Sequence, residues 1–195
     1  MDNFSQVVIE YNAWLLGALV LVLVPLLVWL WRRRSKDGLD SLVEAVGVDR
    51  VSDVLVSDGM GGEIHIEHLL LTGQGLVVLD VKSIGGTVFA SDRMDEWTVM
   101  TSKDRISIQN PQGALYDRIA ALRLLVRDVP VSGHVLFVEG ADFSKGRPKD
   151  VILPDELLVR YKKPERADLE RIMDAFSPHW ESVRKACRPA SAPQT

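Results

Sequence analysis

From Ala13 to Trp31 the chain reads AWLLGALVLVLVPLLVWLW, 19 consecutive apolar residues. At about 1.5 Å per residue, a helix of that length just crosses a hydrocarbon layer of roughly 30 Å. Pro25 lies inside the run, and membrane-spanning helices tolerate proline better than soluble ones. Trp14, Trp29 and Trp31 stand near the two ends, where indole rings favour the interface. A buried core helix is the competing reading, and 19 unbroken apolar residues argue against it. A cleaved signal peptide would need a positive leading region and a small-residue cleavage site. The leading segment MDNFSQVVIEYN instead carries Asp2 and Glu10 and no Lys or Arg. The flank after the run, WRRRSK, is basic and acts as a stop-transfer signal. The positive-inside rule then leaves residues 1–12 as a short extracytoplasmic N-terminus, 13–31 as a transmembrane helix and 32–38 as a basic linker. All that follows is expected in the cytoplasm, held at the cell (inner) membrane by a single pass.

Residues 39–187 are long enough to bury one core. The tail 188–195, RPASAPQT, is rich in Pro, Ser and Ala and is expected to be disordered. The single cysteine, Cys187, excludes an intrachain disulfide and any multi-cysteine zinc pattern, and suits a reducing compartment. His65, His68, His134 and His179 remain as potential ligands, and an ordinary hydrogen-bonded or exposed role competes for each. The net charge of −4 argues against binding nucleic acid through overall charge and leaves room for a local basic patch. No charge or composition feature predicts the oligomeric state.

Within the domain, GLDSLVEAVG reads as a short helix ended by Gly47. VSDVLV, EIHIEHLLL and LVVLDVKS read as strands, the last two joined by the tight turn TGQG. TVFAS, EWTVMT and RISIQ read as further short strands. NPQGALYDRIAALRLLVRD is one long amphipathic helix, with Asn110 as N-cap and Pro111 as its first residue. GHVLFVEG is a buried strand, and PDELLVRYKK and ADLERIMDAFSPHWESVRKAC are helical. The order suggests an α/β or α+β domain with a mixed β-sheet flanked by helices, of which α/β is the class expected here.

The chemistry gathers where Leu76–Leu79 runs into Asp80, Val81 and Lys82. Strand alternation points Asp80 and Lys82 from one face. The short turn makes the preceding strand a neighbour, so Glu67 lies near Asp80 if it shares that face. Two carboxylates can hold a hard cation such as Mg²⁺, and a neighbouring ammonium can orient a water or stabilise a phosphoryl oxygen. A plain salt bridge of Asp80 with Lys82, a solvent-facing Glu67 and a surface role for Gln112 and Tyr116 are the competing readings.

Glu67 followed by Asp80-Val81-Lys82 resembles the PD-(D/E)xK nuclease signature. GEIHIEHLLLTGQGLVVLDVKSIGG resembles the core of the nuclease-related domain, NERD, with Trp97, Asn110-Pro111 and the Gln112/Tyr116 spacing in matching order. The resemblance implies a PD-(D/E)xK-type fold and Mg²⁺- or Mn²⁺-dependent cleavage of DNA. It implies Glu67 and Asp80 as metal ligands, Lys82 as the water-activating or phosphate-stabilising group and Gln112 as an orienting residue, with Tyr116 beside it. It also allows a catalytically inactive module that binds nucleic acid or protein at the membrane. The chain departs from the family pattern twice. Glu67 stands where aspartate is usual, and the first helix has no Gly-Glu pair, leaving Asp40 or Glu44 as the candidate acid. His65 and His68, around Glu67, are more readily structural than ligands, and Trp97 suits the core.

Overall fold

In a computed structural model, residue 24 and residues 38–190 are described. The apolar segment 13–31, apart from Val24, and the linker up to Asp37 lie outside the described residues, as do 191–195. Among the described residues no helix is long and apolar enough to cross a membrane.

A helix over 38–46 (α1) buries Val43 and Val46 and stops at Gly47. From Leu42 onward the described chain packs as one unit. It contains two mixed sheets, where the sequence pattern suggests one. The larger is built on β1 (Asp49–Ser57), β2 (Glu63–Thr72) and β3 (Gly75–Lys82), an antiparallel meander. The smaller takes β4 (Gly86–Phe89), β5 (Glu96–Met100) and β6 (Arg105–Gln109), also antiparallel. The long helix α2 (Gln112–Leu125) then carries the chain to β7 (Val131–Phe137), which lies parallel to β3. Two two-residue strands complete the pattern. β8 (Ala141–Asp142) adds to β4, and β9 (Val151–Ile152) adds to β7. They are too short to leave a periodic signal in sequence. Helices α3 (Pro154–Arg160) and α4 (Arg166–Ala186) follow, and β10 (Arg188–Pro189) closes the chain on the outer edge of β1. The start of the expected tail is therefore paired, with proline tolerated because the strand is an edge.

The central strands read as unbroken apolar runs because both faces are covered: every residue of β3 from Gly75 to Asp80 is buried. The hairpin turns on Gly73-Gln74, and Gly75 has φ 117 with its Cβ position 2.3 Å from the carbonyl oxygen of Pro130. No L-side chain fits there without moving backbone. On one sheet face, α2 crosses β7 at Gly133, whose Cβ position is 2.8 Å from both Leu115 and Ile119. The absent side chain lets the helix sit directly on the strand. That contact fixes which residues α2 presents on either side. Asn110 does not cap α2 as expected; Pro111 is the N-cap residue. Asn110 acts one position earlier, its Oδ1 accepting from the Gln112 N–H at 2.9 Å and its Nδ2 donating to Met94 at 2.8 Å. Trp97 is fully buried, as its place in the pattern suggests.

On the opposite side of β7, His134 is 5% exposed and shares a 2.7 Å hydrogen bond with the Tyr161 hydroxyl. Burial, followed by the nearby Arg160 charge, holds its pKa below the ordinary value.

Candidate active site

The β2–β3 ladder begins at the closing pair Thr72↔Gly75 and ends at His68↔Leu79. Alternation from the closing pair makes the Val81 N–H the next donor in the row, and a continued ladder would direct it to Ile66. Instead it donates to Oε2 of Glu67 at 3.1 Å. The β1–β2 pairing is interrupted at the same place, between Ser52↔His68 and Val54↔Ile66. Asp53, opposite Glu67, has φ 56, the one positive φ at a non-glycine position among the described residues. Glu67 thus leaves the regular ladder on both sides, and its carboxylate takes over a hydrogen bond that the main chain gives up.

Asp80 is the residue directly after Leu79, the last β3 residue in the ladder with β2, and lies beside Val135 of the parallel strand. It is 6% exposed. Each of its oxygens takes a cation: Lys82 Nζ donates to Oδ1 at 2.6 Å, and Arg118 Nη1 donates to Oδ2 at 3.1 Å. Arg118 Nε also donates to the His65 carbonyl at 2.7 Å. Sequence reasoning missed Arg118. Its signal was its place on α2, three residues after Leu115 and four before Leu122, on the border of the buried stripe.

Gln112 and Tyr116 leave the other border of that stripe. Gln112 is 3% exposed, and its Nε2 donates to Asp92 Oδ1 at 2.7 Å. The Tyr116 hydroxyl donates to Asp150 Oδ2. The Lys149 N–H also donates to Asp92, at 3.1 Å. Hydrogen bonding to Gln112 and then to Lys149 holds the Asp92 carboxyl below its ordinary pKa. Hydrogen bonding to Asp150 pushes Tyr116 up to about 12. The chain segment carrying Asp150 pairs with β7 on the side away from β3, through Val135↔Val151 and the Val135–Asp150 main-chain bond. With strands about 4.8 Å apart, the Asp150 backbone lies roughly 10 Å from that of Asp80. So Glu67, Asp80 and Lys82 come together, while Gln112 and Tyr116 form a second set across β7. Asp92 and Asp150, which hold that set, were not foreseen, because each lies in a loop with no periodic pattern.

The remaining candidates lie elsewhere. His65 pairs with Asp53 at 2.7 Å, and His68 Nδ1 lies 2.9 Å from the Ser52 hydroxyl. Asp40 and Glu44 are exposed. Glu44 lines a cleft with Asp49, Arg50 and Lys163, at the Leu71 end of the β1–β2 pair, opposite to the Asp80 end.

Among the described residues no three His, Cys, Asp or Glu side chains stand close enough to hold a metal ion. Two carboxylates are the available charged donors: Oε1 of Glu67 and, once its present cation has left it, Oδ2 of Asp80 can accept a hard cation. Lys82 and Arg118 already hold one oxygen of Asp80 each. The donor set therefore fits a divalent ion on one condition, that Arg118 leaves Oδ2.

A family described as the nuclease-related domain matches residues 33–138, just over half of the chain. The match takes in Glu67, Asp80, Lys82, Gln112, Tyr116 and Arg118, and it ends before β8 and Asp150. No curated protein and no solved structure matches.

Proposed function

The chain belongs to the nuclease-related domain family, and from that premise we propose that it is a metal-dependent hydrolase of DNA phosphodiesters anchored in the cell membrane. The observation that carries this reading is the set at the end of the β2–β3 hairpin, where Lys82 Nζ stands 2.6 Å from Asp80 and Glu67 reaches the main chain of the residue between them. Glu67 and Asp80 would hold Mg²⁺ or Mn²⁺, which when bound lowers the pKa of a water and offsets phosphoryl charge. Lys82 is 27% exposed at its side chain, so its ammonium meets both the buried carboxylate and the solvent from which substrate arrives. In that position it donates a hydrogen bond to an attacking water or to a phosphoryl oxygen. Gln112 acts one step further out. It ties the Asp92 loop to α2, and so shapes the wall beside the reacting groups rather than touching the metal.

The apolar run 13–31 supplies the anchor in this reading, and the basic cluster Arg32–Lys36 keeps the domain in the cytoplasm. Protease added to spheroplasts should then leave the domain uncut until the membrane is lysed.

A second reading has its own observation. Asp80 is already matched by two cations, and the first acid is glutamate. A nuclease-fold module that binds nucleic acid or protein without cutting would look like this. Incubating the full chain in detergent with Mn²⁺ and labelled duplex DNA, single-stranded DNA or RNA separates the two. Cleavage that Asp80→Ala abolishes supports the hydrolase. Saturable binding with no cleavage by a folded chain supports the module.

A further inference from the structure

Arg118 sits where the proposed chemistry needs a different cation. Its guanidinium is 18% exposed at the side chain and makes two directed hydrogen bonds, to Oδ2 of Asp80 at 3.1 Å and to the His65 carbonyl at 2.7 Å. A divalent ion binds a carboxylate oxygen at about 2.0–2.1 Å, so an ion on Oδ2 would lie within about 5 Å of the Arg118 Nη1. Two positive groups that close, beside a carboxylate with 7% side-chain exposure, oppose each other with little water to screen them. The other Asp80 oxygen offers no escape, because Lys82 occupies it at 2.6 Å.

We propose that Arg118 is an internal cation that competes with the divalent ion for Asp80, so that metal binds only when the guanidinium swings away from Oδ2. The side chain has the means to move. Its stem starts from α2, which Leu115, Ile119 and Leu122 hold in place, and the side chain as a whole keeps some exposure to solvent. Arg118 is therefore a positioning residue: in place, it neutralises Asp80 and shields the His65 carbonyl, and displaced, it leaves a two-carboxylate site. The inference rests on the reading of Glu67 and Asp80 as a metal pair, and the test separates the failure of one from the failure of the other.

The test is calorimetric titration of Mn²⁺ into the full chain in detergent, for wild type, Arg118→Met and the double variant Arg118→Met/Asp80→Asn. Arg118→Met should bind at least about tenfold more tightly than wild type, the scale of one hydrogen bond to a charged group. The double variant should lose that gain. Equal affinity in wild type and Arg118→Met would overturn the competition while leaving the metal pair standing. Absence of binding in both would overturn the competition and the metal pair together. If Arg118→Met does not fold, the wild type decides alone through the Nε–H resonance of Arg118 in a Mg²⁺ titration. It should shift and exchange faster with water as the bond to His65 opens, and a resonance unmoved by excess Mg²⁺ overturns the proposal.

Discussion

Helix α2 holds carboxylates on both of its borders, by opposite means. On one border Asp80 is held by charge, with Lys82 and Arg118 each on one oxygen. On the other, Asp92 and Asp150 are held by neutral donors, the Gln112 amide, the Tyr116 hydroxyl and the Lys149 N–H. A charge-held carboxylate can exchange one cation for another, so its environment can change with what binds. A carboxylate held by neutral donors keeps its negative charge and its geometry. With Tyr116 pushed up to about 12 and Asp92 held low, neither titrates near neutral pH. One border is suited to reaction or to ion exchange, and the other is a fixed frame.

The sharpest way to break this comparison is to remove the charge-held acid. Asp80→Ala leaves Lys82 and Arg118 facing each other with no carboxylate between them. Breaking a fully buried pair costs about 3–5 kcal/mol, and the partial exposure of both cations lowers the expected loss to about 2–3 kcal/mol. Denaturant unfolding would measure it, and cleavage should vanish even where the protein remains folded. A stability equal to wild type would mean that the two ion pairs contribute nothing.

Lys82→Ala sharpens the same border with less structural damage, since Arg118 still balances Asp80. The melting temperature should hardly change, and the cleavage rate should fall by about two or more orders of magnitude, the usual range for one acid–base or electrostatic group. A rate that merely tracks the folded fraction would reduce Lys82 to a salt-bridge partner.

These two residues were legible in the sequence, and the reason is local. A hairpin with a two-residue turn fixes which side chains face each other, so Glu67, Asp80 and Lys82 follow from counting along two adjacent strands. The strands themselves were legible too, because β3 and β7 are apolar runs and α2 is amphipathic. The rest depends on contacts distant in sequence. Arg118 reaches Asp80 only because Gly133 lets α2 lie on β7, and a glycine 15 residues away says nothing of this by itself. The division into two sheets falls between β3 and β4, which follow each other in the chain without pairing, and β8 and β9, with two residues each, only extend the two sheets. Asp92 and Asp150 stand in loops, where spacing carries no information about what they meet. Gln112 and Tyr116 were legible as a pair on one helix border, but not the distance that β7 puts between them and Asp80.

The smallest expected effect tests the frame itself. Gln112 is buried, and its Oε1 has no hydrogen-bond partner among the described residues, so half of its amide already goes unsatisfied. Replacing it with leucine removes a polar group that is only partly used and keeps most of the volume. Loss of the bond to the exposed Asp92 and relief of the unpaired oxygen oppose each other, so stability near neutral pH should hardly change. The electrostatic consequence is clearer. The Gln112 hydrogen bond is the leading cause of the lowered Asp92 pKa, ahead of the Lys149 N–H. In Gln112→Leu the Asp92 carboxyl should therefore titrate at higher pH than in wild type, still below its ordinary value because the Lys149 bond remains. The sign follows from the proton count: a folded pKa held below the unfolded one favours folding above that range and loses this contribution as pH falls through it. Gln112→Leu should accordingly lose less of its stability than wild type as the solution is acidified through the carboxylate range. Carboxyl carbon chemical shifts followed against pH in both proteins would check it. An Asp92 titration that does not move would mean that the Lys149 N–H alone holds the loop, and the neutral-donor border would then not depend on α2 for its charge.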